Sequence, residues 1–325
     1  MQQAELFRRQ VDEALQQLQY EKRQPEELYQ PIAFTLAGGG KRIRPVLLMI
    51  GCDLFGGNTA KALNPALGIE VFHNFTLLHD DIMDNAPLRR SRPTVHSKWN
   101  RNIAILSGDV MFVEACSLMA HVDPAILSRV LKAFNHAAVL VCEGQQLDMN
   151  FETQKGVSIE QYTDMIRCKT GALLGGALQI GSIIGGADEH AAQNMYEFGI
   201  NLGIAFQLQD DLLDVYGQTD KFGKQQGGDI ISNKKTFLLL KALELASFSQ
   251  GKELGKWLGL SDFDPVEKVN AVVSIFDVIG VRKHTEKEIG DYYEKALNSL
   301  QLVSAIESKK KELAAYAGAL MAREY

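Results

Sequence analysis

Apolar residues recur three and four positions apart along almost the whole chain, and alternating runs rich in Val, Ile and Thr are nearly absent. That spacing is the signature of helices burying one face, so an all-α protein is expected. Clusters of Gly and Pro interrupt the pattern at "AGGGKRIRP" (37–45), "LFGGN" (54–58), "HVDP" (121–124), "QKGVS" (154–158), "GGAD" (185–188), "YGQTDKFGKQQGGD" (216–229) and "LSDFDP" (260–265). Between such breakers there is room for roughly ten to twelve helices. No repeat, low-complexity segment or Pro/Ser-rich linker appears, so residues 1–325 are expected to form a single domain. The least polar stretch, "GALLGGALQIGSIIGGA" (171–187), is short for a membrane span, interrupted by Gln179 and rich in small residues. It reads as a tightly packed internal helix, and no membrane anchor is expected.

Two polar stripes break the apolar pattern. "HDDIMD" (79–84) is answered by "QDDLLD" (209–214), each a DDxxD set among apolar helical positions. Residues four apart share a helix face, so Asp80 aligns with Asp84 and Asp210 with Asp214. The first stripe runs back to His73, the second to Gln207 and Gly203. Like charges at this spacing disfavour a helix by about 0.2–0.5 kcal/mol per pair, which points to a bound cation. A solvated acidic face would explain one such cluster, but two flanked by Leu, Ile, Phe and Val are harder to explain that way. Carboxylates are hard ligands, and Mg²⁺ is commonly held by one or two of them with water and substrate phosphate filling the other positions.

Cations stand near these clusters: Lys41, Arg42 and Arg44 after Gly38–Gly40, Arg89 and Arg90 after the first cluster, Lys169 in "CKTG", and Lys224, Lys234 and Lys235 after the second. The glycines let backbone N–H groups approach an anion, although the run is not a Walker A pattern. Carboxylates and cations together describe recognition of a metal-bound pyrophosphate.

Composition narrows the partners. A net charge of −6 over 325 residues, with no basic block, excludes a nucleic-acid footprint. Cys52, Cys116, Cys142 and Cys168 are widely spaced with no CxxC, which fits reduced thiols in a cytoplasmic protein rather than a disulfide frame or zinc site. The opening "MQQAELFRRQVDEALQQL" is charged and amphipathic, unlike a signal peptide.

Four ordered segments carry a family likeness: "GGGKRIRP" (38–45), "HNFTLLHDDIMDNAPLRRSRPTVH" (73–96), "KTGALL" (169–174) and "FQLQDDLLDVYGQTDKFGKQQGGDIISNKKT" (206–236). The chain resembles the trans-isoprenyl diphosphate synthases of the polyprenyl synthetase family over most of its length. The resemblance implies an isoprenoid synthase fold, a single bundle of mostly antiparallel helices around a central cavity, with the aspartate clusters facing each other across its mouth, and a homodimer. It implies Mg²⁺-dependent, head-to-tail condensation of isopentenyl diphosphate with an allylic diphosphate, with three ions when substrate is bound. Asp80, Asp84 and Asp210 would hold metal, supported by Asp81, Asp211 and Asp214. Arg89, Lys169, Lys224 and Lys234 would contact the allylic diphosphate, while Lys41, Arg44, His73 and Arg90 would hold isopentenyl diphosphate without metal. Thr170 and Gln207 would orient groups near the developing cation.

The likeness also bears on product length. Phe75, five positions before Asp80, and small Thr76 stand where family members set the cavity floor, and the first cluster lacks the two-residue insertion of many bacterial farnesyl diphosphate synthases. Together these favour a C15 to C20 product, C20 first, with a longer-chain synthase as the alternative. Three departures are visible: Ser91 where Gly often follows the paired arginines, "NKKT" where many members have "GKxT", and a terminal "REY" in place of a basic tail. A terpene cyclase, whose second metal motif reads (N/D)Dxx(S/T)xxxE, would need Glu at Thr236, four residues beyond Ser232 in the nearest stretch after Asp229, and has no use for the Lys41, Arg44 and His73 set. A non-catalytic subunit of a heteromeric prenyltransferase typically lacks one aspartate cluster, whereas both are present here. The quarter beyond residue 242 shows amphipathic helices and no legible chemistry.

Overall fold

A computed structural model of the protein describes residues 2–217 and 227–322. The expected all-α class is borne out. The helices are α1 (Gln2–Gln17), α2 (Glu26–Leu36), α3 (Ile43–Leu54), α4 (Thr59–Met83), α5 (Val95–Lys98), α6 (Arg101–Met119), α7 (Pro124–Thr153), α8 (Ile159–Ile166), α9 (Ala172–Gly185), α10 (Glu189–Tyr216), α11 (Gly228–Ile231), α12 (Phe237–Leu245), α13 (Phe248–Gly259), α14 (Pro265–Ile279), α15 (Val281–Gln301) and α16 (Glu307–Met321). Short pieces such as α5 and α11 were not separable by periodicity, since four residues make barely one turn. The described residues fall into two compact units, one from Met1–Ala138, Leu173–Gly199 and Leu300–Tyr316, the other from Val139–Ala172, Ile200–Ser299 and Ala317–Tyr325. Each unit is assembled from three separate segments, so no linker marks a boundary between them.

In the first unit α4 packs on α3 and α6, and α2 lies against α6. Val71 and Phe72 of α4 are fully buried; burying each such side chain favours folding by about 1.5–3 kcal/mol. Asn58 starts α4 by accepting a hydrogen bond from the Ala60 amide at 3.0 Å. The expectation of an internal helix after residue 171 holds for α9, where Leu173, Leu174, Ala177, Leu178, Ile180 and Ile183 are buried. Two other helices, α6 and α7, are long and apolar enough by length and composition to cross a membrane, with 39% and 33% of their most apolar windows buried within the protein.

A feature outside the helical pattern follows the first aspartate cluster. Strands β1 (Leu88–Arg89) and β2 (Arg92–Pro93) pair antiparallel, Leu88 opposite Pro93 and Arg89 opposite Arg92. The two turn residues, Arg90 and Ser91, have φ of 52° and 59°. A two-residue hairpin turn of this hand needs positive φ at both positions, which explains why glycine would suit position 91.

In the second unit a capping box of Ser158 and Gln161 opens α8. That helix runs into a π-helical turn over Arg167–Gly171. Helices α11, α12 and α13 pack on α14, and α12 on α8. Phe237 and Leu238 of α12, Leu254 of α13, and Val272 and Phe276 of α14 are buried.

Candidate active site

The helical geometry of α4 brings Asp80, Asp81 and Asp84 to its C-terminal end, with Asp84 as the capping residue. Asp84 is exposed and Asp80 half-buried, whereas Asp81 is buried. Asp81 accepts a hydrogen bond from Arg89 Nε at 2.7 Å. Burial pushes the Asp81 carboxyl upward and the Arg89 charge opposes that shift. The first cluster therefore divides into two outward carboxylates and one that anchors the β1 arginine.

Beside it lies a concentrated positive site. Arg44 NH1 lies 3.2 Å from His73 Nε2. Because a guanidinium only donates, Nε2 is the acceptor and the ring proton belongs on Nδ1. Burial pushes the His73 pKa well below the usual 6.5, helped by the charges of Arg44, Arg90, Arg89 and Arg42. Arg90 donates from NH1 to the Gly39 carbonyl, which joins the glycine loop to the hairpin turn. Gly40 sits at φ 143°, and a Cβ there would lie 3.0 Å from Arg90 NH1, so a side chain would displace the guanidinium. Lys41 follows this glycine and is exposed. Several cations around a neutral imidazole can hold a multiply charged anion without metal.

Arg42, in the same basic run, is built into the protein instead. Its side chain is buried, with Nε 3.0 Å from Asp12 Oδ1, NH1 2.6 Å from Glu70 Oε1 and NH2 3.0 Å from the Leu36 carbonyl. Asn74 Nδ2 donates to the same Glu70 oxygen at 3.0 Å. This strut ties the glycine loop to α1 and α4 and so sets where Lys41 and Arg44 stand.

The His73 environment predicts a pH dependence of stability. With the folded-state pKa depressed below 6.5, the unfolded chain binds the extra proton first. Stability therefore falls as pH drops below about 6.5, continuing until the folded-state value is reached. His73→Gln should flatten that part of the slope in thermal unfolding between pH 7 and 5; an unchanged slope would show that His73 is not the neutral group.

Phe75 and Thr76 point to different surroundings. Phe75 joins an aromatic cluster with Phe72 at 5.5 Å, Phe112 at 5.6 Å and His79 at 4.7 Å between ring centroids. Thr76 Oγ1 donates to the His73 carbonyl at 2.8 Å, within its own helix.

In the second unit the π turn and α10 are joined by a chain of hydrogen bonds. Thr170 Oγ1 donates to Gln207 Oε1 at 3.0 Å, and Gln207 Nε2 donates to Asp211 Oδ1 at 3.0 Å. Tyr162 donates its hydroxyl to the other Asp211 oxygen. Both ends of the Gln207 amide are thus used to connect Thr170 to the second aspartate cluster. Burial, with repulsion from Asp229, pushes the Asp211 pKa up to about 7, although Tyr162, Lys234 and Gln207 all pull it down. Asp214 Oδ2 accepts the Asp229 backbone N–H at 3.0 Å. Lys169 Nζ pairs with Asp148 Oδ2 of α7 at 2.6 Å. Lys235 donates to the Phe151 and Glu152 carbonyls at the end of α7, which separates it from Lys234. Lys224 lies outside the described residues.

Asp148 and Tyr162 were not among the residues singled out from the sequence. Gly144 and Asp148 do stand four apart on α7, the same one-face spacing as the aspartate pairs, and that was the available signal. Among the described residues no group of three or more His, Cys, Asp and Glu side chains is assembled as a metal cage. Paired outward carboxylates without a cage suit Mg²⁺, which keeps waters and shares its ligands with a substrate phosphate.

Comparison with known proteins agrees with this chemistry. Residues 25–276 match the family described as polyprenyl synthetase. The chain is 36% identical over 310 residues to the geranylgeranyl pyrophosphate synthase of Geoglobus acetivorans, covering 94% of each protein. It is also 36% identical over 252 residues to the geranylfarnesyl diphosphate synthase of Natronomonas pharaonis, covering 71% of this chain and 73% of that one. A crystal structure of a geranylgeranyl pyrophosphate synthase superposes with a TM-score of 0.94 at 42% identity over 99% of both chains.

Proposed function

We propose, from the premise that this chain belongs to the polyprenyl synthetase family and is a short-chain trans-prenyl diphosphate synthase, the following division of labour among its residues. Asp80 and Asp84 of the first cluster and Asp210 of the second hold Mg²⁺, three ions when substrate is bound. Bound there, Mg²⁺ supplies Lewis-acid stabilisation of the departing diphosphate. Arg89, Lys169, Lys224 and Lys234 hold the allylic diphosphate. Fixed cations of this kind stabilise the negative charge that grows on the leaving group. Lys41, Arg44, His73 and Arg90 bind isopentenyl diphosphate, whose double bond attacks the allylic carbon before a proton is lost. Thr170 and Gln207, already joined at 3.0 Å, line the developing cation.

The observation that carries this reading is the positive site around neutral His73, separate in its residues from the outward carboxylates of Asp80 and Asp84. An enzyme acting on one diphosphate, such as a terpene cyclase, needs no such second anion site. The exposed apolar side chains of α6, Ile105, Leu106, Phe112 and Val113, are the surface we assign to a homodimer. The two units act as one catalytic domain in this reading, and cytoplasmic action fits four cysteines that form no disulfide.

The test is to incubate purified protein with Mg²⁺, isopentenyl diphosphate and, separately, the C5, C10 and C15 allylic diphosphates, and to read products by mass spectrometry. Condensation is expected to be lost in Asp80→Ala and on chelation of Mg²⁺. No extension of any allylic substrate would overturn the reading and turn attention to a required partner subunit. For product length we propose C20, with C25 as the alternative raised by the geranylfarnesyl relative. Phe75→Ala removes the ring packed on Phe72 and Phe112 and is expected to lengthen the product by one or more C5 units; an unchanged product would place the cavity floor elsewhere.

A further inference from the structure

A lysine in the C-terminal quarter, where the sequence shows no chemistry, is held in an expensive position. Lys268 of α14 is fully buried. Its Nζ donates to Asn233 Oδ1 at 2.6 Å and to the Ile231 carbonyl at 3.2 Å, and stands 4.1 Å from the centre of the Phe263 ring. These partners are neutral. Removing an ammonium from water costs several kcal/mol, and neutral acceptors repay only part of that. Such a group needs a reason to be there.

The reason is visible in what it grips. Asn233 has a φ of 56°, in the left-handed region, at the position where many relatives carry the glycine of "GKxT". Asparagine is the non-glycine residue that adopts this conformation most readily, but the conformation is not held by the residue alone. Here both ends of its amide are fixed, Oδ1 by Lys268 and Nδ2 by the Leu258 carbonyl at 3.1 Å. The next residue is Lys234, whose backbone N–H is tied to the Asp229 carbonyl at 2.8 Å. Asp229 in turn donates its own backbone N–H to Asp214 Oδ2 at 3.0 Å, so this turn is fastened directly to the second aspartate cluster. Lys235 is meanwhile drawn to the end of α7.

We propose that Lys268 is a positioning residue that clamps Asn233 in its left-handed conformation and thereby aims Lys234 at the second aspartate cluster, where the allylic diphosphate binds. The inference rests on the prenyltransferase reading for the identity of that ligand. The clamp replaces with a side-chain contact what glycine supplies by conformational freedom, and it gives α13 and α14 a part in the site.

Lys268→Met keeps the length and apolar stem and removes the charge. The expected result is a KM for the allylic diphosphate raised about tenfold, as a displaced binding group produces, with the KM for isopentenyl diphosphate unchanged. Asn233→Ala removes the same contact without glycine's freedom for positive φ, and the double variant should be no worse than the more affected single one. A purely structural lysine would lower the melting temperature and leave the two KM values in their original ratio, which would overturn the proposal. Should Lys268→Met fail to fold, an unchanged allylic KM in Asn233→Ala overturns it equally. Calorimetric binding of inorganic pyrophosphate, with and without Mg²⁺, reads the clamp without turnover: the Mg²⁺-dependent part should weaken in both variants. A wild-type protein that binds pyrophosphate in this way but condenses nothing would sink the prenyltransferase reading and leave the clamp to be decided by the binding change.

Discussion

Asp80→Ala should lower kcat by about a thousandfold while leaving the metal-free protein as stable as before, or slightly more so. Asp80 is half-buried and shares a helix face with exposed Asp84 at the end of α4, whereas Asp81 is buried and accepts from Arg89 at 2.7 Å. Loss of a metal-holding carboxylate removes several kcal/mol of charge stabilisation from the departing diphosphate, and each 1.36 kcal/mol is a factor of ten in rate. The same change relieves the repulsion between Asp80 and Asp84, about 0.2–0.5 kcal/mol for residues four apart on a helix. Activity and stability should thus move in opposite directions. Isopentenyl diphosphate binding should persist, because Arg44, His73 and Arg90 are untouched. Steady-state kinetics with thermal unfolding, with and without Mg²⁺ and pyrophosphate, checks this. A mutant that keeps its rate would remove Asp80 from the metal site.

Gly144→Ala is the second large effect. A Cβ on Gly144 would stand 2.3 Å from the Lys169 amide nitrogen and 2.7 Å from its Cα, with ordinary contact beginning at 3.4 Å. The neighbour is backbone, so the π turn itself must shift, by about 1 Å. Lys169, which pairs with Asp148 of α7, is on that turn, and Thr170 starts the chain through Gln207 to Asp211. A displacement of this size at a binding group costs on the order of a hundredfold in rate, and overpacking costs about 1–3 kcal/mol of stability. Gly290→Ala in α15, where an added Cβ meets nothing within 4 Å, is the control and should stabilise by about 0.5–1 kcal/mol. Equal activities for the two variants would show that the position of the π turn does not matter to the reaction.

The amino-acid sequence by itself determined the helical class, the shared face of each aspartate pair and the presence of two sets of cations. Those are local properties: a helix repeats every 3.6 residues, so a three-and-four spacing states which side chains lie together without reference to the rest of the chain. Tertiary structure decided what each member of a charged run is joined to. Arg42 and Arg44 look alike in "KRIR", yet Arg42 is taken by Asp12 and Glu70, 30 and 28 positions away in the chain. Lys234 and Lys235 are adjacent, and the second donates to the Phe151 and Glu152 carbonyls at the end of α7. The hairpin at Arg89–Arg92, the π turn at Lys169 and the left-handed Asn233 are each shorter than the window over which periodicity can be read. Asp148, Tyr162 and Lys268 matter through partners 21, 49 and 35 positions distant. A side chain's partner is chosen by how helices pack, and that information resides in the assembled core.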